Sequence, residues 1–230
     1  MAAARSNQKS DMAAGRFITF EGGEGSGKST QAQRLAERLG ASGIDVVVTR
    51  EPGGSPFAEA LRALILDPET PPHSALSEAL LFYAARADHL EKAIRPALND
   101  GRWVICDRFS DSTRVYQSEA GGLPAEVFDA LEEMVVAPTS PDLTLILDLP
   151  AELGLGRAHG RRLGGASEGA GPDAYEKRDL TYHWKLREAF AAIARAEPDR
   201  CVLIDAAADE TDVADAVWRA VETRLLAEAR

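Results

Sequence analysis

The amino-acid sequence predicts an α/β fold with a doubly wound, five-stranded parallel sheet. Short, nearly continuous apolar runs alternate with amphipathic helical stretches, which is typical of a parallel sheet covered on both faces. A glycine-rich loop separates the first apolar run from the first helix, as in a phosphate-binding strand–loop–helix unit. The 230 residues suffice for one large domain or two small ones with a buried core.

The predicted strands are the apolar runs Phe17–Phe20, Asp45–Thr49, Trp103–Cys106, Leu143–Leu147 and Cys201–Ile204. Apolar residues spaced three to four positions apart predict the first and last helices. Those in the first helix are Ala32, Leu35, Ala36 and Leu39. Those in the last helix are Val213, Val217, Ala220 and Val221.

Two further helices are predicted between the second and third strands. One begins at Ser55, because serine caps helix N-termini and the following Pro56 fits the first helical position. The other runs from Leu76 to Leu98. Its predicted core stripe is Leu76, Leu80, Tyr83, Ala87 and Ile94.

Composition and charge exclude several classes of function. The chain has 37 acidic and 26 basic residues and a net charge of −11, so it has no general attraction for nucleic acid. No apolar run reaches the length of a membrane span, and Met1–Gly15 contains no apolar segment of signal-peptide length. We expect a cytoplasmic protein with no nucleic-acid or membrane partner. Residues 1–15 are predicted to be a flexible tail and residues 16–230 the folded domain.

Each of the two cysteines lies in an apolar run. We expect Cys106 and Cys201 to be reduced core residues on neighbouring strands. A disulfide or a metal pair stays open as an alternative, without support from the spacing. The four histidines show no ligand spacing with each other or with cysteine, so transition-metal chemistry is not indicated.

The glycine-rich loop from Gly22 to Ser29 matches the pattern G-x-x-x-x-G-K-[ST] at every fixed position. Its backbone N–H groups are expected to surround phosphate oxygens, Lys28 to reach the β- and γ-phosphates, and Ser29 to ligate Mg²⁺. A chance glycine-rich turn is the alternative, but a strand before the loop and a helix after it argue against that. The predicted triphosphate-binding residues are Gly22, Gly23, Glu24, Gly25, Ser26, Gly27, Lys28, Ser29 and Thr30.

Charged residues follow two of the predicted strands. Asp107 is expected to hold Mg²⁺, and Arg108 to bind a second phosphate, because ligands bind at the carboxyl ends of parallel strands. Arg50 follows the second strand in a Pro-Gly turn, and the alternative there is a solvated ion pair with Glu51. Both positions favour a binding role.

Two more stretches allow two readings each. Phe82, Arg86 and His89 share one helix face, which is either a half-exposed flank or a surface for a flat base. A glycine-rich stretch after residue 160, with arginines at its entrance, is either a solvated loop or a mobile lid that brings cations over phosphates. In a phosphate-binding protein the lid is favoured, and its predicted extent is about 157–178.

Four motifs, in this order, resemble those of bacterial thymidylate kinases. They are Phe20–Thr30, Arg50–Gly54, Leu81–Arg86 and Asp107–Gln117, and the likeness extends from about Phe17 to the C-terminus. The resemblance implies the nucleoside monophosphate kinase fold, a homodimer packed through helices that include the long one, and Mg²⁺-dependent phosphoryl transfer. ATP would be the donor and dTMP the acceptor, so that the products are dTDP and ADP.

The resemblance also implies roles for individual residues. Glu24 would accept a hydrogen bond from the 3′-hydroxyl of dTMP, Phe82 would stack on thymine, and Arg86 would bond its edge. Arg50 and Arg108 would bind the acceptor phosphate. Ser112 and Gln117 would line the base and sugar site, and Tyr116 would crowd the 2′ position against ribonucleotides.

One position identifies a subclass of these enzymes. Some thymidylate kinases carry a basic residue directly after the loop carboxylate, whereas this chain has Gly25 there. The missing cation is expected to come from the lid, and the candidates are Arg157, Arg161 and Arg162. The lid also departs from the family pattern, because Ala174 stands where an arginine is usual.

Two other functions compete with this interpretation. A deoxynucleoside kinase would need a carboxylate to accept the proton of a 5′-hydroxyl, whereas the acceptor region here is rich in arginine. A nucleotide-dependent switch that binds guanine should contain an Asn-Lys-x-Asp motif, and the sequence has none.

Overall fold

Five parallel strands form one sheet, and they coincide with the predicted apolar runs. The strands are β1 (Phe17–Glu21), β2 (Val46–Arg50), β3 (Trp103–Asp107), β4 (Leu143–Asp148) and β5 (Cys201–Asp205). Their order across the sheet is β2-β3-β1-β4-β5, and every pairing is parallel. The structure is a computed structural model that describes residues 15–163, 175 and 177–227, without the side chains of 161–163.

Helices connect the strands. They are α1 (Lys28–Ala41), α2 (Pro56–Leu66), α3 (Ala75–His89), α4 (Arg95–Asn99), α5 (Ser110–Thr113), α6 (Ala125–Leu131), α7 (Ala151–Leu163), α8 (Leu180–Ala196) and α9 (Glu210–Val221). π-helical turns at Leu90–Ile94, Arg114–Glu119, Glu132–Val136 and Glu222–Leu226 extend α3, α5, α6 and α9. The predicted cap at Ser55 is confirmed, since its side chain accepts a hydrogen bond from the Ala58 N–H.

The helices cover both faces of the sheet, which confirms the doubly wound prediction. On one face, α1 and α9 bury Leu35, Leu39, Val213 and Val217 against alternate strand residues such as Phe20. On the other face, the remaining strand residues pack against α3, α4, α6 and α8. Across the part of the chain that the structure describes, no helix is both long and apolar enough to cross a membrane.

The predicted core stripe of the long helix is partly wrong. Leu76 and Leu80 are 46% and 50% exposed, and Ala87 is exposed too. The buried stripe is Ala79, Tyr83, Leu90, Ile94 and Ala97. The two stripes share Tyr83 and Ile94, but the leucines lie about a quarter turn to one side and form an apolar surface instead.

The expected proximity of the two cysteines is also wrong. Both are free and buried, but Cys106 lies in β3 and Cys201 in β5, with β1 and β4 between them. The order of strands along a chain does not determine their order in a doubly wound sheet.

The sheet brings three strand ends together. Phe20 of β1 and Arg50 of β2 both pair with Asp107 of β3. The loop after β1 and the turns after β2 and β3 are therefore neighbours at the carboxyl edge of the sheet. The predicted tail lies outside the described residues except for Gly15, and so do residues 164–174 and 176 of the predicted lid, including Ala174.

Candidate active site

The loop between β1 and α1 is wound around its own lysine. Lys28 Nζ donates hydrogen bonds to the carbonyls of Gly22 and Gly23 at 3.1 and 2.8 Å, and to Ser26 Oγ at 3.3 Å. Burial, followed by the charge of Arg108, lowers the pKa of Lys28 to about 8. The ammonium is therefore still mostly charged at neutral pH and available to phosphate oxygens.

Gly25 is required by its surroundings. Its φ is +69°, and a Cβ atom there would lie 2.0 Å from the carbonyl oxygen of Gly154 in α7. A basic side chain at this position would collide with the first turns of α7. This position of the loop thus has no room for the additional basic side chain.

Ser29 and Asp107 meet at the mouth of the loop. The Ser29 hydroxyl donates a short hydrogen bond to Asp107 Oδ2. The described residues contain no cluster of three or more histidine, cysteine or acidic side chains suited to a metal. A hydroxyl and one carboxylate are nonetheless the oxygen ligands that suit Mg²⁺ when phosphates and waters complete its shell.

Glu24 and Arg108 form the centre of the site. Glu24 Oε1 accepts hydrogen bonds from Arg108 Nη2 at 2.7 Å and from the Tyr116 hydroxyl at 2.8 Å. Burial raises the pKa of Glu24, but the charges of Arg108 and Lys28 outweigh burial and bring it down to about 2. Glu24 is therefore a carboxylate that can only accept hydrogen bonds.

The buried carboxyl group of Glu21 holds the turn that carries Arg108. Arg108 has a left-handed φ of +68°, and Glu21 Oε1 accepts hydrogen bonds from the next N–H groups, those of Phe109 at 2.8 Å and Ser112 at 3.3 Å. The Ser112 hydroxyl oxygen lies 2.6 Å from Glu21 Oε2, within hydrogen-bond distance. Burial, with a contribution from the Asp111 charge, raises the pKa of Glu21 from 4.5 to about 8.

We expect the free energy of unfolding to fall as the pH rises from about 4.5 to 8, because folded Glu21 holds a proton that the unfolded chain has released. The slope for one proton is at most about 1.4 kcal/mol per pH unit. In Glu21→Gln this contribution to the slope should disappear, since an amide keeps an acceptor for the two N–H groups. Urea unfolding at pH 5.5, 6.5 and 7.5 measures both slopes, and equal slopes would contradict the prediction. The range stops below pH 8 because the depressed pKa of Lys28 has the opposite effect above it.

Two adjoining cavities meet at Glu24 and Arg108. One contains the loop residues from Glu24 to Ser29 together with Arg50 and Asp107. The other contains every predicted substrate residue except Arg50. The predicted residues in this second cavity are Glu24, Phe82, Arg86, Arg108, Ser112, Tyr116 and Gln117. Thr30, by contrast, is exposed on α1 and lines neither cavity.

In the turn at the end of β2, Arg50 is the exposed residue and Glu51 the buried one, whereas the sequence interpretation gave the binding role to Arg50 alone. Arg50 is 54% exposed and pairs with Glu59 at 3.0 Å, at the edge of the loop cavity. Glu51, which the solvated-turn alternative places in water, is 5% exposed and bonds Arg86 Nε at 2.8 Å. The helix face with Phe82 and Arg86 is likewise no half-exposed flank, because Arg86 and His89 are 1% and 0% exposed.

The lining residues that sequence reasoning missed include Arg62 and Tyr175. Arg62 of α2 lines both cavities and donates to the Pro52 carbonyl at 2.8 Å, yet a single arginine on a helix gives no signal. Tyr175 lines the second cavity, with its ring 5.4 Å from Tyr116 and 6.5 Å from Phe82. It follows Ala174 directly in the sequence, and its aromatic side chain is the signal that could have indicated a binding role.

The lid arginines are only partly described. Arg157 Nη1 donates to the Ala206 carbonyl, in the turn after β5, at 3.0 Å. Arg161 and Arg162 belong to α7, but their side chains lie outside the described part of the chain.

Comparisons with known proteins agree with this geometry. The family model described as thymidylate kinase matches residues 20–217. The thymidylate kinase of Nitrobacter winogradskyi is 52% identical over 97% of this chain and 95% of its own length. That of Caulobacter vibrioides is 54% identical over 93% of this chain and 99% of its own. The crystal structure of the Ehrlichia chaffeensis thymidylate kinase has a TM-score of 0.71 and 34% identity, over 90% of this chain and 99% of its own.

The geometry of the site and the similarity to known proteins point to the same family, and the chain belongs to the thymidylate kinases.

Proposed function

We propose that the two cavities hold the two substrates of a thymidylate kinase, with ATP in the loop cavity and dTMP in the cavity lined by Phe82 and Arg86. The reaction transfers the γ-phosphoryl group of ATP to the 5′-phosphate of dTMP and gives dTDP and ADP. The observation that carries the proposal is that Glu24 and Arg108 line both cavities. An acceptor phosphate beside Arg108 would thus face the triphosphate directly.

The chain's own residues supply positioning and charge in this proposal. The acceptor phosphate has a second pKa near 6, so it is largely a dianion at neutral pH and needs no general base. The main barrier is the repulsion between two anionic phosphates. Arg108 binds the acceptor phosphate, Lys28 binds the donor phosphates, and Arg50 adds charge at the entrance.

The acceptor nucleoside would be bound by groups of matching polarity. Glu24 would accept a hydrogen bond from the 3′-hydroxyl, and Tyr116, whose hydroxyl is 2.8 Å from Glu24 Oε1, would occupy the space beside the sugar. Phe82 supplies a flat surface for the base, and Arg86 supplies hydrogen-bond donors to its edge. Ser112 and Gln117 complete the lining.

Mg²⁺ and ATP belong to the same proposal. Ser29 and Asp107 would hold the ion, which neutralises charge on the donor phosphates when it is bound. Arg157, Arg161 and Arg162 would supply the lid cations. A cytoplasmic location is also proposed, and two free, buried cysteines fit a reducing compartment.

A substrate panel tests the proposed reaction. In a coupled assay of ADP release, dTMP, dUMP, UMP and thymidine are compared as acceptors with Mg²⁺ and ATP. We expect dTMP to be the preferred acceptor, UMP to be poor because of Tyr116, and thymidine to be inactive. Turnover of thymidine instead of dTMP would favour the deoxynucleoside kinase alternative and reject the proposal.

We also propose that the chain forms a homodimer through α2 and α3. Their outer surfaces carry four exposed apolar side chains, Phe57, Leu64, Leu76 and Leu80, between 46% and 55% exposed. Exposed apolar side chains on two helices that pack together are typical of an interface.

Leu80→Glu is expected to convert the dimer to a monomer, because a charge would be buried at the centre of that interface. Light scattering after gel filtration measures the mass. Leu153→Glu is the matched control, since Leu153 is 51% exposed but lies on α7, and it should leave the mass unchanged. A monomeric wild-type protein would contradict the proposal.

A further inference from the structure

The Arg86 guanidinium has protein contacts at Nε, at Nη2 and on its flat face, but Nη1 has no hydrogen-bond partner in the described part of the chain. Nε donates to Glu51 Oε2 at 2.8 Å and Nη2 donates to Thr113 Oγ1 at 3.1 Å. The Cζ atom lies 4.7 Å from the centre of the Tyr83 ring and 5.1 Å from that of Phe109. Nη1 has no hydrogen-bond partner within the described chain, although Arg86 is 1% exposed and lines the substrate cavity. One donor nitrogen is therefore left for a ligand.

Glu51, which holds Arg86, is itself held by a histidine. His89 Nδ1 lies 3.0 Å from Glu51 Oε1, and His89 Nε2 lies 2.7 Å from Thr49 Oγ1. A carboxylate only accepts, so Nδ1 carries a hydrogen and donates to Glu51, and the Thr49 hydroxyl is the hydrogen-bond partner of Nε2. These contacts form one hydrogen-bonded chain from Thr49 through His89 and Glu51 to Arg86.

The backbone around the ring is fitted to this arrangement. His89 is fully buried, and a Cβ atom at Gly54 would lie 2.2 Å from its Nε2 and 2.5 Å from Thr49 Oγ1. Gly54 also has a φ of +84°, which favours glycine. The turn after β2 thus holds the imidazole in one position, away from the cavity that Arg86 lines.

We propose that His89 and Thr49 are positioning residues that hold Glu51, and through it Arg86, so that the site selects a pyrimidine with a carbonyl group at C4. The inference rests on the proposed function, because it places the base against Nη1. A guanidinium only donates, so it pairs with the carbonyl of thymine or uracil. With cytosine, the amino group at C4 and the guanidinium of Arg86 would both be buried donors without an acceptor. Sites that leave buried polar groups unpaired in this way discriminate strongly against the wrong substrate.

Three substitutions at His89 test whether its hydrogen bond to Glu51 matters, or only the space that its side chain fills. In His89→Asn the amide nitrogen can occupy the place of Nδ1 and donate to Glu51. In His89→Gln the same group lies one methylene further out and cannot reach Glu51 in the same geometry, and His89→Leu has no donor. We expect the His89→Asn variant to behave like the wild type. The His89→Gln and His89→Leu variants should lose selectivity for a carbonyl group at C4.

The readout compares dTMP with 5-methyl-2′-deoxycytidine 5′-monophosphate, which carries an amino group at C4. For Gln and Leu we expect the KM of dTMP to rise about 10- to 100-fold, the range for losing one hydrogen bond to a charged group. The preference for dTMP should fall by a similar factor, while kcat and the KM of ATP stay within about threefold. A purely structural defect would change all four quantities, and Asn would not rescue it.

Thr49→Val gives a second test that keeps the side-chain shape and does not depend on the His89 variants folding. It removes the hydrogen-bond partner of Nε2, and a smaller loss of selectivity in the same direction is expected. The inference is overturned if Gln, Leu and Val variants all keep the wild-type preference, or if Asn loses as much as Leu. Failure of the proposed function looks different, because the wild-type protein would then not phosphorylate dTMP at all.

Discussion

Arg108→Gln is expected to lower kcat/KM for dTMP by about 10³-fold or more, within the range known for arginines that stabilise phosphoryl transfer. Arg108 donates to Glu24 at 2.7 Å and to the Gly22 carbonyl at 3.0 Å, so it joins the loop to the substrate cavity. Its loss removes the charge for the acceptor phosphate and leaves the half-buried Glu24 carboxylate without its closest cation. Steady-state kinetics with varied dTMP and varied ATP measure both consequences.

Arg50→Gln is the matched control for this experiment. Arg50 is also proposed to face the acceptor phosphate, but it is 54% exposed and paired with Glu59, whereas Arg108 is 18% exposed. Charges in solvent act more weakly than buried ones, so a loss of only about tenfold is expected for Arg50. If Arg108→Gln stayed within tenfold of the wild type, the central role of Arg108 would be refuted.

The parts of the site that are local in sequence could be predicted from the sequence. The loop from Gly22 to Ser29 is one continuous segment, and its chemistry follows from fixed residue types at fixed spacing. Asp107 and Arg108 were identified because they follow a buried strand, and the carboxyl ends of parallel strands meet. The strands themselves were visible because both faces of the sheet are covered, which makes each run almost wholly apolar.

The residues that sequence reasoning missed act through contacts between distant segments. Glu51, Arg62 and Tyr175 reach one cavity from a turn, a helix and the lid region. The burial of His89 depends on Thr49 and Glu51, which lie about forty residues earlier in the chain. Helical spacing placed His89 on the correct side of α3 but contains no information about what packs there.

The error in the stripe of α3 has a related cause. Periodicity detects apolar residues on a helix, but it does not separate a surface buried in the core from one left for another chain. Leu76 and Leu80 are apolar and exposed, and together with Phe57 and Leu64 they form the surface proposed for the homodimer.

The second large loss of activity is expected from substitutions of the lid arginines. The combined Arg161→Ala and Arg162→Ala variant should lower kcat by about 10²- to 10⁴-fold, because the loop cannot supply the cation that transfer requires. The argument rests on Gly25, whose φ of +69° and close approach to Gly154 leave no room for a side chain. Measurements at saturating ATP and dTMP report kcat directly.

Arg157 is expected to behave differently from the other two arginines. Its guanidinium donates to the Ala206 carbonyl at 3.0 Å, which ties α7 to the turn after β5. Because this contact holds the protein rather than the transferred phosphoryl group, Arg157→Ala should raise the KM of ATP more than it lowers kcat. Arg195→Ala, an exposed arginine in the last turn of α8, controls for the general loss of positive charge and should change neither. If every single and combined substitution at 157, 161 and 162 left kcat intact, the lid would not supply the charge. Arg50 and Arg62, the other arginines beside Arg108 at the loop cavity, would then be the remaining described candidates, since Gly25 excludes the loop itself.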